Sequence, residues 1–508
     1  MLFNSLEFAL FLPIVFLIYW AIGYAHINDR LKLRLQNAFV VIASYVFYGW
    51  WDWRFLFLIA FTSFCSWGSG LLIGRGLTQR SLKGRRLISP KFWMIANIVL
   101  NLAILAIFKY YDFFVSEFGQ LFGISTESLL LRIILPVGIS FYTFQALSYS
   151  IDVYRQKLEP TRDIVAFFAY VAFFPQLVAG PIERATNLLP QFQTNRKFSY
   201  DQAVDGMRQI LWGLFKKIVV ADNCATYVDQ VWSTYDTQTG STLLLAAILF
   251  TFQIYGDFSG YSDIAIGTAK LFGIKLMRNF NNPYFSRDIA EFWRRWHISL
   301  TTWFRDYVYI PLGGSRVGKW KIIRNTFVIF LLSGFWHGAN WTFIAWGAYH
   351  ALLFLPLILF GANRKYTNQV ATYTDSAGTP RLRLLPTFRE SLQIFLTFTL
   401  AVLGWIIFRA PHMPTLLHYL EGMLQWGTLR ASYRFFILNF NLVYPTNVFI
   451  IIMLVCEWLS RDKEHTLQNL QNIRIFRSRM VRAILYGVFF FVILALRGGA
   501  VDFIYFQF

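Results

Sequence analysis

The sequence predicts an all-α protein that crosses a membrane many times. Hydrophobic residues make up 56% and aromatic residues 19% of its 508 residues. Charged residues make up only 15%, against about 25% in soluble globular proteins. One compact globule cannot bury so much apolar surface, so part of it must face lipid. The composition therefore excludes a disordered chain, a coiled coil and an ordinary soluble enzyme.

The charge of the chain is strongly positive, with 47 Lys and Arg against 27 Asp and Glu, or +20. In a membrane protein such an excess indicates cytoplasmic loops beside anionic lipid headgroups, so membrane lipids are expected partners and nucleic acid is not. Cys65, Cys224 and Cys456 are far apart and show no metal-ligand spacing. We therefore expect no disulfide framework, no metal site and no permanently bound cofactor.

Apolar segments recur along the chain at about the 20-residue length that a helix needs to cross a bilayer. The first, 8–25, follows Glu7 and lacks a clear cleavage site, so we interpret it as a retained span rather than a signal peptide. Strong candidates follow at 55–73, 92–108, 133–151, 164–182, 391–408 and 435–456, and weaker ones at 37–50, 207–220, 242–256 and 483–496. The uncharged run 325–363 suits two spans, or one span and a re-entrant piece. In total we expect about 11 to 13 membrane elements.

Loop charge predicts the orientation of these spans. The first, third and fifth loops are basic and the second and fourth are not, so we expect the N-terminus outside the cytoplasm. The alternation fails after residue 160, where Lys216 and Lys217 lie inside a weak span. A re-entrant segment is therefore predicted at 173–176, and non-helical backbone at membrane depth implies a cavity. The polar stretch 363–389 is predicted to be an exposed loop.

The most basic part of the chain, 275–324, contains a predicted interfacial helix. Apolar and aromatic residues recur there at helical spacing over 286–310, after a possible N-cap at Ser286. His297 lies on the aromatic side, either as an interfacial hydrogen bonder or as part of a site. Three arginines flank the aromatic belt and could anchor it among headgroups or bind the phosphates of a ligand, namely Arg294, Arg295 and Arg305.

His337 is the residue that points most clearly to a site. It lies thirteen residues past Arg324 in the uncharged run, or about 20 Å along a helix. An ionisable side chain at such depth is a candidate functional residue, and the alternative is a buried histidine hydrogen-bonded between helices. Gly334 and Gly338 beside it allow a ligand or another backbone to approach closely.

Asp257 and Asp263 form a further candidate, because two acids in an apolar stretch need a cavity or hydrogen bonds. They could be proton-relay groups, polar walls of a tunnel, or partners of nearby arginines. We favour a structural or tunnel role.

The chain resembles the membrane-bound O-acyltransferase family nearly from end to end, and within it the bacterial branch that O-acetylates alginate and peptidoglycan. The segments that carry the resemblance are Phe3-Asn4-Ser5, 137–141, 174–182, 257–263, 292–300, 334–341 and 503–508. The resemblance implies one membrane domain over 1–508, a ring of helices around a tunnel, and a catalytic segment at 325–361. It maps the family's near-invariant histidine to His337 and the second polar position to His297. Trp336 and Asn340 beside them are further candidates for the donor site or tunnel.

The resemblance also implies the reaction. An acetyl group passes from a cytoplasmic thioester, expected to be acetyl-CoA, across the bacterial inner membrane to a polysaccharide hydroxyl. The transfer is either direct or through a periplasmic partner, a hydrolase-like acetyltransferase of the SGNH type. The N-terminus would then be periplasmic.

The chemistry agrees with two buried histidines. An alcohol attacks a thioester poorly until its proton is removed, and a neutral buried imidazole can accept that proton. We assign His337 as the general base, a role worth about 10²–10⁴-fold, and an acyl-His337 intermediate stays open. His297 could orient the acceptor or hydrogen-bond the thioester oxygen. The alternative is a transporter or channel for an acyl donor or polysaccharide, which would make no ester.

Overall fold

The computed structural model describes residues 1–81, 89–375, 379–425, 434, 437–439, 444–497 and 503–504. The described chain is mostly helical, which confirms the all-α prediction. Six of its helices are long and apolar enough to cross a membrane: Leu6–Tyr24, Phe55–Thr78, Pro90–Lys109, Gly240–Leu271, Trp341–Leu359 and Phe388–Arg409. The protein is thus a multi-pass membrane protein, and the larger total of 11 to 13 elements stays a prediction. Of the predicted segment 435–456, only part lies within the described residues.

The chain divides into two compact units, and the first comprises Met1–Met207 with Ala265–Met277. Its helices are α1 (Leu6–Tyr24), α2 (Asp29–Gly49), α3 (Phe55–Ser81), α4 (Pro90–Lys109), α5 (Tyr111–Phe122), α6 (Ile139–Tyr154), α7 (Ile164–Ala172), α8 (Phe174–Leu177), α9 (Ala185–Phe192) and the start of α10 (Tyr200–Leu214). The prediction of one membrane domain over the whole chain stays a prediction beside this division.

Small polar side chains join three helices of the first unit. Ser66 on α3 donates to the Asn97 amide oxygen on α4 at 3.1 Å, and Asn97 donates to Ser150 on α6 at 2.7 Å. All three are buried. Such interhelical hydrogen bonds hold apolar helices together where lipid provides no hydrophobic driving force between them.

The chain is buried but not continuously helical between α7 and α9. Helix α7 ends at Ala172, the four-residue α8 follows, and 178–183 are buried without regular structure. Side chains bond backbone groups beside the break between α7 and α8: Ser44 accepts from the Phe174 amide at 3.0 Å, and Gln176 donates to the Tyr170 carbonyl at 2.7 Å. The predicted interruption near 173–176 is present, and its re-entrant position in a membrane stays a prediction.

The second unit comprises Arg208–Ile264 and Arg278–Phe508. Its helices are the end of α10, α11 (Asp222–Ser233), most of α12 (Gly240–Leu271), α13 (Ile289–Arg295), α14 (Ile298–Phe304), α15 (Lys319–His337), α16 (Trp341–Leu359), α17 (Phe388–Arg409), α18 (Met413–Leu424), α19 (Tyr444–Leu459) and α20 (Arg479–Ala495). The π-helical turns Phe215–Ala221 and Arg305–Tyr309 follow α10 and α14. Short 3₁₀ turns occur across the chain at Glu127–Leu129, Tyr235–Thr237, Pro283–Phe285, Leu470–Asn472 and Arg474–Phe476.

The predicted single helix over 286–310 is wrong. Helix α13 ends at Arg295, and His297 adopts a left-handed conformation with φ 42° before α14 begins. The N-cap is Asp288, whose carboxylate accepts from the Glu291 amide at 2.6 Å, because the Ser286 hydroxyl donates to a carbonyl instead. The spacing pattern found the apolar faces of two short helices but missed the break between them.

The run 325–363 forms two helices, α15 and α16, joined by 338–340. A Cβ atom at Gly334 would overlap the Phe343 carbonyl oxygen, and one at Gly347 would overlap the Phe330 carbonyl oxygen. These glycines therefore allow two backbones to approach, which is one of the two roles considered for Gly334.

The stretch 363–389 is only partly the exposed loop that the sequence predicts. It contains a two-stranded antiparallel sheet of β1 (Thr372–Thr374) and β2 (Pro380–Leu382), in which Tyr373 pairs with Arg381. Val370 and Ala371, just before β1, are buried. Residues 376–378 of this stretch lie outside the described residues.

Candidate active site

His337 is the last residue of α15, at the turn that leads into α16. Its side chain is buried, and its imidazole packs edge-on against Trp346 of α16 and Phe408 of α17, with ring centroids 5.1 Å away in both pairs. The Trp336 ring lies 4.8 Å from it. The predicted helix from Arg324 is present but stops at this histidine, so three helices surround the imidazole with aromatic rings.

His297 also packs against Trp336. Its ring centroid lies 6.1 Å from that of Trp336 and 4.6 Å from that of Phe258 on α12. His297 is only 1% exposed. The structure thus brings the two histidines that the sequence singled out, which are 40 positions apart in the chain, against one tryptophan. Trp336, predicted as a tunnel or donor residue, is the ring between them.

Asn279 fixes the orientation of the His297 ring. The Asn279 amide oxygen accepts from the Ser299 backbone N–H at 3.2 Å and from the Ser299 hydroxyl at 2.9 Å. A backbone N–H can only donate, so the side-chain atom facing it must be the oxygen of the amide and not its nitrogen. The same oxygen lies 3.0 Å from Nδ1 of His297. The Ser299 hydroxyl also lies 3.4 Å from Nδ1, but its proton goes to the Asn279 oxygen at the shorter distance, so the contact between Nδ1 and that oxygen assigns the proton to Nδ1.

This tautomer leaves Nε2 of His297 as a lone-pair acceptor. Burial lowers the pKa of His297 to about 3, so the ring is neutral at physiological pH. Nε2 is buried and has no hydrogen-bond partner among the described residues. In this state the ring can accept a hydrogen bond from a hydroxyl but cannot donate one from Nε2. Of the two roles considered for His297, the geometry suits orientation of an acceptor alcohol and disfavours donation to a thioester oxygen.

Two of the three predicted phosphate-binding arginines are occupied by the protein. Arg294 donates to the carbonyls of Asn363 and Tyr366 at 2.9 and 2.7 Å. Arg295 is buried and bonds Glu291 at 2.8 Å. Arg294 and Arg305 are both exposed, but Arg305 pairs only with the neighbouring Asp306 in the described structure. Arg294 and Arg295 thus stabilise the local structure, whereas the guanidinium of Arg305 is accessible to a ligand.

The two acids on α12 pair with consecutive lysines of the π-helical turn. Lys217 contacts Asp257 and Asp222 at 2.7 Å each, and Lys216 contacts Asp263 at 2.7 Å. The direct ion-pair partners in the described structure are lysines rather than arginines, and Arg278 interacts with Asp263 only through its charge. Such pairing suits the structural role that we favoured. The two lysines that disturbed the topology prediction are the counter-ions of the two puzzling acids.

Asp257 also holds the end of the chain. Its second carboxylate oxygen accepts from the Ile504 backbone amide at 2.7 Å. Phe503 packs on Phe258 with ring centroids 5.8 Å apart, and Phe258 in turn packs on His297. The rest of the predicted terminal motif, 505–508, lies outside the described residues.

Asn340 caps α16. Its amide oxygen accepts from the Thr342 amide at 3.1 Å, and its nitrogen donates to the Pro411 carbonyl at 2.5 Å. Both ends of the amide are thus engaged by the protein. Its predicted role in a donor site or tunnel stays a prediction.

Sequence reasoning missed Asn279 and Ser299 as parts of the site. The one available signal was a polar amide within the segment 277–280, eighteen positions before His297, which no spacing rule connects to a histidine. No group of three or more His, Cys, Asp or Glu in the described part of the chain could hold a metal ion.

Comparison with known proteins supplies what geometry alone cannot. A sequence profile described as MBOAT, membrane-bound O-acyltransferase family, matches residues 155–399, which include both histidines. The probable alginate O-acetylase AlgI of Pseudomonas aeruginosa is 39% identical over 436 residues, which cover 85% of this chain and 76% of the relative.

Two relatives with other names are also similar to the chain. The peptidoglycan O-acetyltransferase of Helicobacter pylori is 32% identical, over 93% of this chain and 91% of the relative. The teichoic acid D-alanyltransferase of Streptococcus thermophilus is 30% identical, over 54% of this chain and 68% of the relative.

Proposed function

Because this chain belongs to the membrane-bound O-acyltransferase family, we propose that it moves an acetyl group from a cytoplasmic thioester across the membrane for O-acetylation of a polysaccharide. The observation that supports this reaction best is the pair of buried imidazoles on Trp336, one of which presents an unpartnered Nε2. Such a pair can handle the proton of an attacking hydroxyl away from bulk water.

In the proposed step His337 is the general base and His297 orients the acceptor. A second hydroxyl of the polysaccharide acceptor donates a hydrogen bond to Nε2 of His297, and the attacking hydroxyl gives its proton to the His337 imidazole. The oxygen of the attacking hydroxyl adds to the thioester carbonyl, the carbon–sulfur bond breaks, and the leaving thiolate takes up the proton from His337. An alternative mechanism, in which the acetyl group is first bonded covalently to His337, uses the same residues. Aromatic rings on α15, α16 and α17 would exclude water from the base.

The names of the relatives support a proposal for the acceptor class. The AlgI and Helicobacter pylori relatives, which match over 85% and 93% of this chain, are named for O-acetylation of alginate and of peptidoglycan, so we propose an extracytoplasmic polysaccharide as the final acceptor. We further propose acetyl-CoA as donor, the bacterial inner membrane as location, a periplasmic N-terminus, and a hydrolase-like periplasmic partner that receives the acetyl group. Arg305 is the predicted arginine that pairs only with its neighbour Asp306 in the described structure, so its removal should raise the KM for acetyl-CoA.

The decisive experiment uses purified protein, radiolabelled acetyl-CoA and an alginate or peptidoglycan acceptor, with and without the partner. We expect ester formation by the wild type and its loss in His337→Ala, with His297→Ala severely impaired. His418→Ala is the matched control, because that histidine is exposed on α18. Wild-type ester formation by His337→Ala would refute the assignment of the base. Donor uptake without any ester would indicate a transporter instead.

A further inference from the structure

We propose that Asn279 is a positioning residue of the acyl transfer, which holds the Nδ1–H tautomer of His297 and so presents the Nε2 lone pair to the orienting hydroxyl of the acceptor. The inference deepens the proposed function and rests on it. When one ring nitrogen of a histidine contacts the substrate, its protonation state is commonly determined by the hydrogen bond that the other ring nitrogen makes. Here that bond goes to a neutral amide.

Hydrogen bonds to both ends of its amide fix the orientation of Asn279. The Asn279 amide nitrogen donates to the Ser262 hydroxyl on α12 at 3.2 Å, and its oxygen is fixed by both donors of Ser299. The backbone of Asn279 is held as well, since the Ile298 amide donates to the Asn279 carbonyl at 2.9 Å. With its amide gripped at both ends, Asn279 cannot rotate to offer its nitrogen to the imidazole.

The same clamp explains the unusual backbone of His297. The Asn281 amide donates to the Arg295 carbonyl at 2.9 Å, so the segment before α13 pairs with the chain on both sides of His297. Left-handed backbone is uncommon for a residue with a Cβ atom and persists where surrounding structure enforces it. The break between α13 and α14 thus turns the imidazole towards Asn279, a direction that a continuous helix would not give it.

The choice of an amide over a carboxylate has a chemical consequence. A carboxylate at this position would stabilise imidazolium and raise the pKa of the ring, whereas an amide orients the ring without adding charge. The charged groups on the elements around His297 have partners elsewhere: Asp257 on α12 pairs with Lys217, Arg295 on α13 pairs with Glu291, and Arg278 donates to the Phe280 carbonyl. On α15 the titratable neighbour is His337, across Trp336.

The test compares Asn279→Leu and Asn279→Asp in the acetyl-CoA assay across pH. Asn279→Leu removes the acceptor of Nδ1–H, and we expect kcat to fall about 10- to 100-fold with little change in the KM for acetyl-CoA. Asn279→Asp keeps an acceptor but adds charge, so it should keep most of the rate at high pH and move the acid limb of kcat to higher pH. A residue that only supports the fold would not move that limb.

The matched control is Asn325→Leu, which removes another buried amide that bonds backbone carbonyls, those of Leu312 and Gly314. It should lower thermal stability without moving the acid limb. An acid limb of Asn279→Asp that coincides with the wild-type limb overturns the proposal, and so does an Asn279→Leu enzyme of wild-type kcat.

A double variant separates this inference from the proposed function. In a His297→Ala background, Asn279→Leu should cost no further rate, because its effect runs through the missing ring. An independent, multiplying loss would overturn the positioning role. Full activity of His297→Ala would overturn the proposed role of His297 itself, whereas an inactive His297→Ala beside a fully active Asn279→Leu would overturn only the role of Asn279.

Discussion

Replacement of Gly334 by alanine tests whether the α15–α16 contact sets the position of His337. A Cβ atom at Gly334 would overlap the Phe343 carbonyl oxygen, well inside the 3.4 Å at which ordinary van der Waals contact begins. A backbone carbonyl cannot rotate away as a side chain can, so the two helices would have to separate by roughly 1 Å. His337 is three residues further along the same helix and would move with it.

The expected size of this effect can be stated for stability and for rate. Overpacking by one methyl group costs about 1–3 kcal/mol, and the better helix propensity of alanine offsets up to about 1 kcal/mol of that. A net loss of about 2 kcal/mol should appear in thermal unfolding of the purified protein. A misplacement of about 1 Å at a reacting group can cost about 10²-fold in rate, so acetyl transfer should fall by a similar factor.

Gly487→Ala is the matched control. This glycine lies inside α20, and an added Cβ atom would meet no other atom within 4 Å. Here alanine should leave activity unchanged and raise stability by up to about 1 kcal/mol. The reasoning is refuted if Gly334→Ala matches the wild type in both unfolding temperature and acetyl transfer.

Two further predictions concern buried charge. Lys217→Met leaves Asp257 without its buried counter-ion and should cost about 3–5 kcal/mol in unfolding free energy, and the double variant Lys217→Met/Asp257→Asn should recover part of that loss. The lowered pKa of His297 predicts that acid destabilises the fold. In the unfolded chain this histidine is protonated below about pH 6.5, whereas in the folded protein it stays neutral down to about pH 3. The free energy of unfolding therefore falls as the pH falls from about 6.5 to about 3. At pH 5 the loss is about 2 kcal/mol, which His297→Gln should remove in unfolding experiments between pH 7 and pH 5.

Each of these has an exposed counterpart as control. Lys157→Met should leave the unfolding free energy unchanged, and His26→Gln should leave its pH dependence unchanged, because both side chains are exposed. If Lys217→Met unfolds like the wild type, the ion pair contributes little. Equal pH dependence in His297→Gln and the wild type would contradict a neutral buried ring.

Much of the fold could be predicted from local sequence. Apolar runs located helices such as α1, α3 and α17 because burial in lipid leaves a continuous mark on composition. Prediction failed where long-range contacts decide. The stretch 242–256 continues as α12 to Leu271, since Lys216 and Lys217 neutralise the two acids that interrupt the apolar pattern. Nothing near those acids in the sequence identifies their counter-ions.

The candidate site shows the same division between composition and geometry. A histidine inside an uncharged run is conspicuous in the sequence, so His337 could be found by depth alone. What His297 can do chemically depends on which of its nitrogens carries the proton. Asn279, eighteen positions earlier, decides that, and its own orientation depends on a backbone amide at Ser299. The spacing pattern predicted one helix through His297, and it was the failure of that helix that turned the ring towards Asn279. The site is therefore built where the local rule is broken, and the hydrogen-bond network around the break, rather than the identity of the histidine, determines its role.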